Sequence, residues 1–151
     1  MAKTKIFLIV DDDADDREMF CEALAEVIPD CKCYTAPNGR RAIMALDDGE
    51  IPMPDLVFLD INMPVMNGWQ CLSKMKDIES YKRIPVIMYS TSSYPEDVKC
   101  AQRLGALCFY SKPSRYTELK ESLSVVGEHI SKASLGALVQ SSPMFLTGLE
   151  E

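Results

Sequence analysis

The sequence has no long apolar run. Its apolar runs, such as Ile6 to Val10 and Leu56 to Leu59, fall far short of the roughly 20 residues needed to span a bilayer, which argues against a membrane helix. Basic residues are scarce: 16 Lys plus Arg stand against 23 Asp plus Glu, a net charge of −7. Such a chain lacks the basic face that nucleic-acid phosphates require, so no nucleic-acid partner is expected. No C-x-x-C pair occurs either. Cys31 and Cys33 form a C-x-C, and the other cysteines (Cys21, Cys71, Cys100, Cys108) supply no second close pair for zinc. The amino terminus starts charged and then apolar, but Asp11-Asp12-Asp13 cuts the run off at once, so no signal peptide fits. All six cysteines are therefore expected as reduced thiols in a cytoplasmic protein.

What is present is ordinary for a globular chain. At 151 residues, 47% apolar and 26% charged, it suits one domain with a buried core rather than a disordered, collagenous or coiled-coil chain. Short β-type runs alternate with helical patterns. The strands are read at Ile6 to Val10, Cys31 to Thr35, Leu56 to Leu59, Pro85 to Tyr89 and Ala106 to Tyr110. Helical spacing falls at Met19 to Val27, Arg41 to Leu46, Trp69 to Ile78, Pro95 to Leu104 and Leu119 to Ile130. Strands apolar at every position are buried on both faces, as in a parallel sheet covered by helices. Five β-α units predict an α/β, doubly wound, five-stranded parallel sheet of flavodoxin-like order 2-1-3-4-5 rather than an eight-unit barrel. Residues 1–130 form this unit. Residues 131–151 are too few for a second domain and read as a helix extension or tail, although Met144-Phe145-Leu146 and Leu149 could dock on the body or a partner.

In open α/β sheets the site lies beyond the carboxyl ends of the strands. Strand one ends in Asp11-Asp12-Asp13, strand three in Asp60, strand four in Ser90-Thr91 and strand five in Ser111-Lys112-Pro113. Strands one and three are neighbours in the expected order, so three carboxylates converge. Two carboxylates about 4 Å apart repel by roughly 4 kcal/mol at an effective dielectric near 20, and such a cluster needs a cation. Oxygen donors favour Mg²⁺. Carboxylate, metal, lysine and hydroxyl are together the parts for moving a phosphoryl group onto a carboxylate.

These residues resemble the receiver domain of two-component response regulators. The matching pieces are Ile9-Val10-Asp11-Asp12, the string Leu56-Val57-Phe58-Leu59-Asp60-Ile61-Asn62-Met63-Pro64-Val65-Met66-Asn67-Gly68, Ile84-Pro85-Val86-Ile87 leading to Ser90, and Lys112-Pro113. They stand in family order and spacing over Lys5 to Ile130. The resemblance implies that Asp60 is the phosphoacceptor. It implies that Asp12, Asp60 and the backbone carbonyl of Asn62 hold Mg²⁺, with Asp11 acting through a metal-bound water. Lys112 would contact the phosphoryl oxygens, and Ser90 would be the switch hydroxyl, although a one-residue slip would give that role to Thr91. Pro113 would follow a cis peptide. Phe109 would be the switch aromatic, moving inward on activation.

The family reading also implies a sensor histidine kinase or phosphotransfer protein as phosphodonor, a downstream protein partner, no enzyme activity beyond the chain's own phosphorylation and dephosphorylation, and a monomer or weak homodimer. Thr91 stands where Ala or Gly is usual. The Ser90-Thr91-Ser92 run and Tyr81 to Pro85 look like the stand-alone branch paired with phytochrome-type histidine kinases. Two rivals fit less well. A haloacid-dehalogenase-type phosphohydrolase wants an acid two residues after the nucleophile, where Asn62 stands, and a flavodoxin wants a hydroxyl- and glycine-rich phosphate loop where this chain has three acids. Asp13, Asp15 and Asp16 read as a helix N-terminal acid cluster, His129 as a surface residue and Trp69 as helix packing.

Overall fold

The computed structural model describes residues 4–92, 94–131, 135–137 and 145–146. Strands β1 (Lys5–Val10), β2 (Cys31–Ala36), β3 (Leu56–Leu59), β4 (Val86–Ser90) and β5 (Cys108–Ser111) alternate with helices α1 (Ala14–Val27), α2 (Gly39–Asp48), α3 (Gly68–Asp77), α4 (Pro95–Arg103) and α5 (Tyr116–Ser131). Neighbouring strands pair in parallel in the order β2-β1-β3-β4-β5. The doubly wound sheet predicted from the sequence is therefore the one observed.

The strands alternate their side chains between two buried layers. Leu8, Val10, Val57, Leu59, Val86 and Met88 face the side covered by α2, α3 and α4. Phe7, Ile9, Leu56, Phe58, Ile87 and Tyr89 face Phe20 and Leu24 of α1 and Leu123 and Val126 of α5. Because both faces of the inner strands are covered, β3 and β4 are buried throughout and their polar residues gather at the carboxyl ends. Local signals set the helix ends. Asp13 caps α1, accepting from the N–H groups of Asp15 and Asp16. Asn67 and Gln70 form a capping box at the start of α3, and Gly49 (φ 79°) closes α2 in the left-handed conformation.

Two features depart from the sequence expectation. The sheet gains a sixth strand, β6 (Phe145–Leu146), antiparallel to β5 through the pairs Phe109 with Leu146 and Tyr110 with Phe145. Phe145 is buried against Tyr110, ring centroids 4.9 Å apart. A two-residue strand carries no periodicity; the unpaired edge of β5 creates it. Met144 and Leu149 lie outside the described residues. The second departure is a disulfide between Cys21 and Cys33, where reduced thiols were expected. Twelve residues apart in sequence, they face each other because α1 packs on β2, with Cα atoms 5.7 Å apart, inside the range a disulfide spans. Among the described residues no helix is long and apolar enough to cross a membrane.

Candidate functional site

The carboxyl ends of β1 and β3 hold three carboxylates, those of Asp11, Asp12 and Asp60, whose oxygens lie within 4.8 Å of one another. Backbone pairing places two of them. The Asp11 N–H donates to Ala36 O at 3.1 Å, and the Asp60 N–H to Val10 O at 2.9 Å, so each acid is the first residue past its strand yet still held by the ladder. Asp11 is wholly buried and Asp60 nearly so; Asp12 is exposed. The Asp11 carboxylate accepts from the Asp13 N–H at 2.9 Å and from Lys112 Nζ at 2.6 Å. Asp60 Oδ1 accepts from the Ile61 N–H at 2.9 Å. Its Oδ2 lies 3.8 Å from Lys112 Nζ.

Burial pushes the Asp60 carboxyl up to about 6; Lys112 opposes the rise, and Asp11 and Asp12 add to it. One lysine therefore does not neutralise the cluster. Burial also pulls the Lys112 ammonium down, but Asp11, Asp60 and Asp16 more than offset this and hold it above its ordinary value. All the donors are oxygens, three are carboxylates, and negative charge is left over. That set fits a hard divalent cation.

The β3–α3 loop packs tightly beneath Asp60. The Gly68 N–H donates to Ile61 O at 2.8 Å, and a Cβ on Gly68 would sit 2.2 Å from the Asp60 carbonyl oxygen. Only glycine fits there. Between them, Val65 adopts φ 71° while the Met66 N–H donates to Pro64 O at 2.8 Å. This is a γ-turn in the strained left-handed region for a β-branched residue. Asn62 lies exposed in the same loop, two residues past Asp60.

The ends of β4 and β5 complete the site. Ser90 is buried as the last residue of β4, in register with Ser111, whereas Thr91 is exposed. Among the described residues the Ser90 hydroxyl has loose partners, accepting from the Ser92 N–H at 3.3 Å and lying 3.4 Å from the Ser92 hydroxyl. The Lys112 N–H donates to Ser90 O at 2.7 Å, which carries the lysine side chain back over the acids. Two expectations are corrected. The bond before Pro113 is trans, since no peptide bond among the described residues is cis; trans is the form an X–Pro bond favours by about 0.5–1 kcal/mol. Phe109 is already fully buried, packed in the core layer on the α2–α4 side, so no inward step remains for it. Its side of β5 points into that layer, as strand alternation requires.

Sequence reasoning missed three participants. Asp16 accepts from Lys112 Nζ at 3.0 Å, Arg17 Nη1 donates to the Asp11 carbonyl at 2.7 Å, and the Lys112 ammonium stands 5.2 Å from the centre of the Tyr89 ring. Asp16 stands in the first turn of α1, three residues after its N-cap Asp13, and that closeness to the acids ending β1 was the available signal that it reaches the site.

A doubly wound parallel sheet with three acids and a lysine meeting at the β1/β3 edge defines a class: phosphoacceptor modules of two-component signalling. The chain belongs to the response regulator receiver domain family, which matches residues 7–124. It is 31% identical over 123 residues to the two-component response regulator ARR17 of Arabidopsis thaliana, covering 76% of this chain and 79% of the relative. Response regulator Rcp1 of Synechocystis sp. is 30% identical over 119 residues, covering 76% and 81%. Among solved structures, the phosphorylated cyanobacterial phytochrome response regulator RcpA aligns with a TM-score of 0.75 and 28% identity, covering 83% of this chain and 92% of that one. The Mn²⁺-bound form of Rcp1 aligns with a TM-score of 0.73 and 26% identity, covering 85% and 95%.

Proposed function

We propose that Asp60 is the phosphoacceptor of this receiver and that the acidic cluster works with Mg²⁺. The observation that carries this reading is the buried Asp60 carboxylate, Oδ2 3.8 Å from an ammonium and grouped with two further acids. Asp12, Asp60 and the Asn62 carbonyl would hold the ion directly, and Asp11 through water; Mg²⁺ there would neutralise charge on the incoming phosphoryl oxygens. Asp60 Oδ2 attacks phosphorus while the donor's P–N bond breaks and the imidazole nitrogen keeps the electron pair. Lys112, fixed by Asp11 and Asp16, holds a positive charge beside the bond being made. Ser90, buried at the strand end and loosely bonded, is free to turn toward the acyl phosphate, and Thr91, exposed, is not placed for that role.

The partners that fit are a sensor histidine kinase or phosphotransfer protein as donor and a downstream protein that reads the phosphorylated surface, with the chain acting in the cytoplasm as a signalling protein. Likeness to RcpA, a cyanobacterial phytochrome response regulator, supports a donor of the phytochrome-linked class. Residues 1–130 form the receiver unit and 131–151 its appendage. The test is incubation with acetyl phosphate and Mg²⁺ followed by intact-mass measurement. Wild type should gain one phosphate and Asp60→Asn none. Equal labelling of the two proteins would overturn the assignment.

A further inference from the structure

Away from the phosphoacceptor site, three cysteines meet where α1 crosses the edge strand β2. Cys21 and Cys33 are bonded, and Cys31, two residues before Cys33 and on the same strand face, remains a thiol. All three are only partly buried. The bridge is not part of a disulfide scaffold, because Cys31, Cys71, Cys100 and Cys108 stay free. Nor does it substitute for a core, since both faces of the sheet are already packed. It borders a groove of about 480 Å³ lined by Arg17, Glu18, Cys21, Glu22, Ala25 and Thr35, room enough for a small thiol to approach the bridge from the Cys21 side. An isolated, accessible bridge in a chain otherwise rich in thiols fits regulatory exchange better than permanent reinforcement.

We infer that Cys21 and Cys33 are a reversible thiol–disulfide switch, exchanged by a low-molecular-weight thiol and its disulfide, that fastens α1 to the sheet edge when oxidised. In reduction, a small thiolate attacks one sulfur of the bridge and the other leaves as a thiolate that takes a proton. A second small thiol then resolves the mixed disulfide, so the protein gains two electrons and two protons and the small thiols leave as one disulfide. Oxidation is the reverse. The consequence for signalling rests on the phosphoacceptor reading. Cys21 lies one helical turn beyond Arg17, which bonds the Asp11 carbonyl, and five residues beyond Asp16, which bonds Lys112. Releasing the bridge removes the covalent tie between β2 and the helix that carries both, and leaves that helix held by the packing of Phe20, Ala23 and Leu24. Cys31 takes no part: its Sγ lies 4.0 Å from Leu24 O, and burial together with Asp30 keeps its proton on.

The experiment equilibrates the full chain across a series of reduced-to-oxidised glutathione ratios, quenches exchange with acid, blocks free thiols with a maleimide in denaturant so that buried Cys71 and Cys108 also react, and counts labels by intact mass. Wild type should pass reversibly between four and six labelled thiols. Cys31→Ser should show the same transition one label lower, and Cys21→Ser and Cys33→Ser should show none. Hydrogen exchange across residues 14–27 should speed up at least twofold on reduction of wild type and not respond in Cys21→Ser. A bridge that stays closed, or stays open, at every ratio overturns the inference, as does loss of the transition in Cys31→Ser or unchanged exchange in α1. None of these readouts uses phosphorylation. A failure to label Asp60 in either redox state would overturn the functional reading and leave the switch standing.

Discussion

The two halves of the site are built differently. On the β1–β3 side the acids are clamped: Asp11 and Asp60 are held by ladder hydrogen bonds through their own N–H groups, Asp60 by the Ile61 N–H and Asp11 by the Asp13 N–H. Beneath them Gly68 leaves no room for a side chain. On the β4–β5 side the Ser90 hydroxyl is held, among the described residues, by long contacts of 3.3 and 3.4 Å to Ser92. The clamped half holds charges that repel one another and would separate if the backbone gave way. The loose half must change partner when a phosphoryl group arrives. Rigidity is located where charge has to be held, and slack where a signal has to be read.

The largest expected effect comes from breaking the clamp. Gly68→Ala puts a methyl 2.2 Å from the Asp60 carbonyl oxygen, which only backbone movement can relieve. Urea denaturation should show a loss of about 3 kcal/mol, and acetyl-phosphate labelling should fall with it. Wild-type stability in this variant would mean that the loop yields freely.

Next is the charge the clamp holds. Asp60 rises from an ordinary 3.8 to about 6 in the folded protein, so protonation favours folding. Its contribution to stability is fully present below pH 3.8 and is lost as the pH rises through about 6. In metal-free buffer Asp60→Asn should therefore be more stable than wild type by about 2 kcal/mol at pH 7.5. The two should converge toward pH 3.8. A constant difference across the range would locate the titration elsewhere.

The acids within the clamp should separate from one another. Asp12 is exposed, and Asp12→Ala should weaken Mg²⁺ about tenfold, some 1.4 kcal/mol, with metal-free stability unchanged or higher as repulsion is relieved. Asp11 takes the Lys112 ammonium and the Asp13 N–H. Asp11→Ala should weaken Mg²⁺ less than Asp12→Ala does but lower the metal-free melting temperature, because a buried ammonium loses its nearest partner. Calorimetric titration and thermal melts on both variants decide it; the reverse order would exchange their roles.

The smallest effect on stability belongs to the loose half. Ser90→Ala should shift stability by under about 0.5 kcal/mol, since the hydroxyl bonds so weakly, and should still permit labelling at Asp60. Beryllofluoride with Mg²⁺ should alter hydrogen exchange across Pro95 to Leu104 and Ala106 to Tyr110 in wild type, and less in the variant. A full response in Ser90→Ala would remove that hydroxyl from the switch.

The strands, their order and the acids at their carboxyl ends could all be read from the amino-acid chain. These are properties of residues near in sequence, where apolar runs, helical spacing and turn signals act within a few residues and a parallel sheet allows few orders. The string from Asp60 to Gly68 likewise determined its own loop. The remaining features depend on residues distant in sequence meeting in the fold. Lys112 bonds Asp16 as well as Asp11 and lies over Tyr89; Cys21 reaches Cys33 across a helix–strand contact; Phe145 closes an edge that its own two-residue strand could not advertise. The choice of Ser90 over Thr91 as the inward hydroxyl is of the same kind, because a single step along a strand reverses the side chain's face and only the register with Ser111 shows where β4 ends.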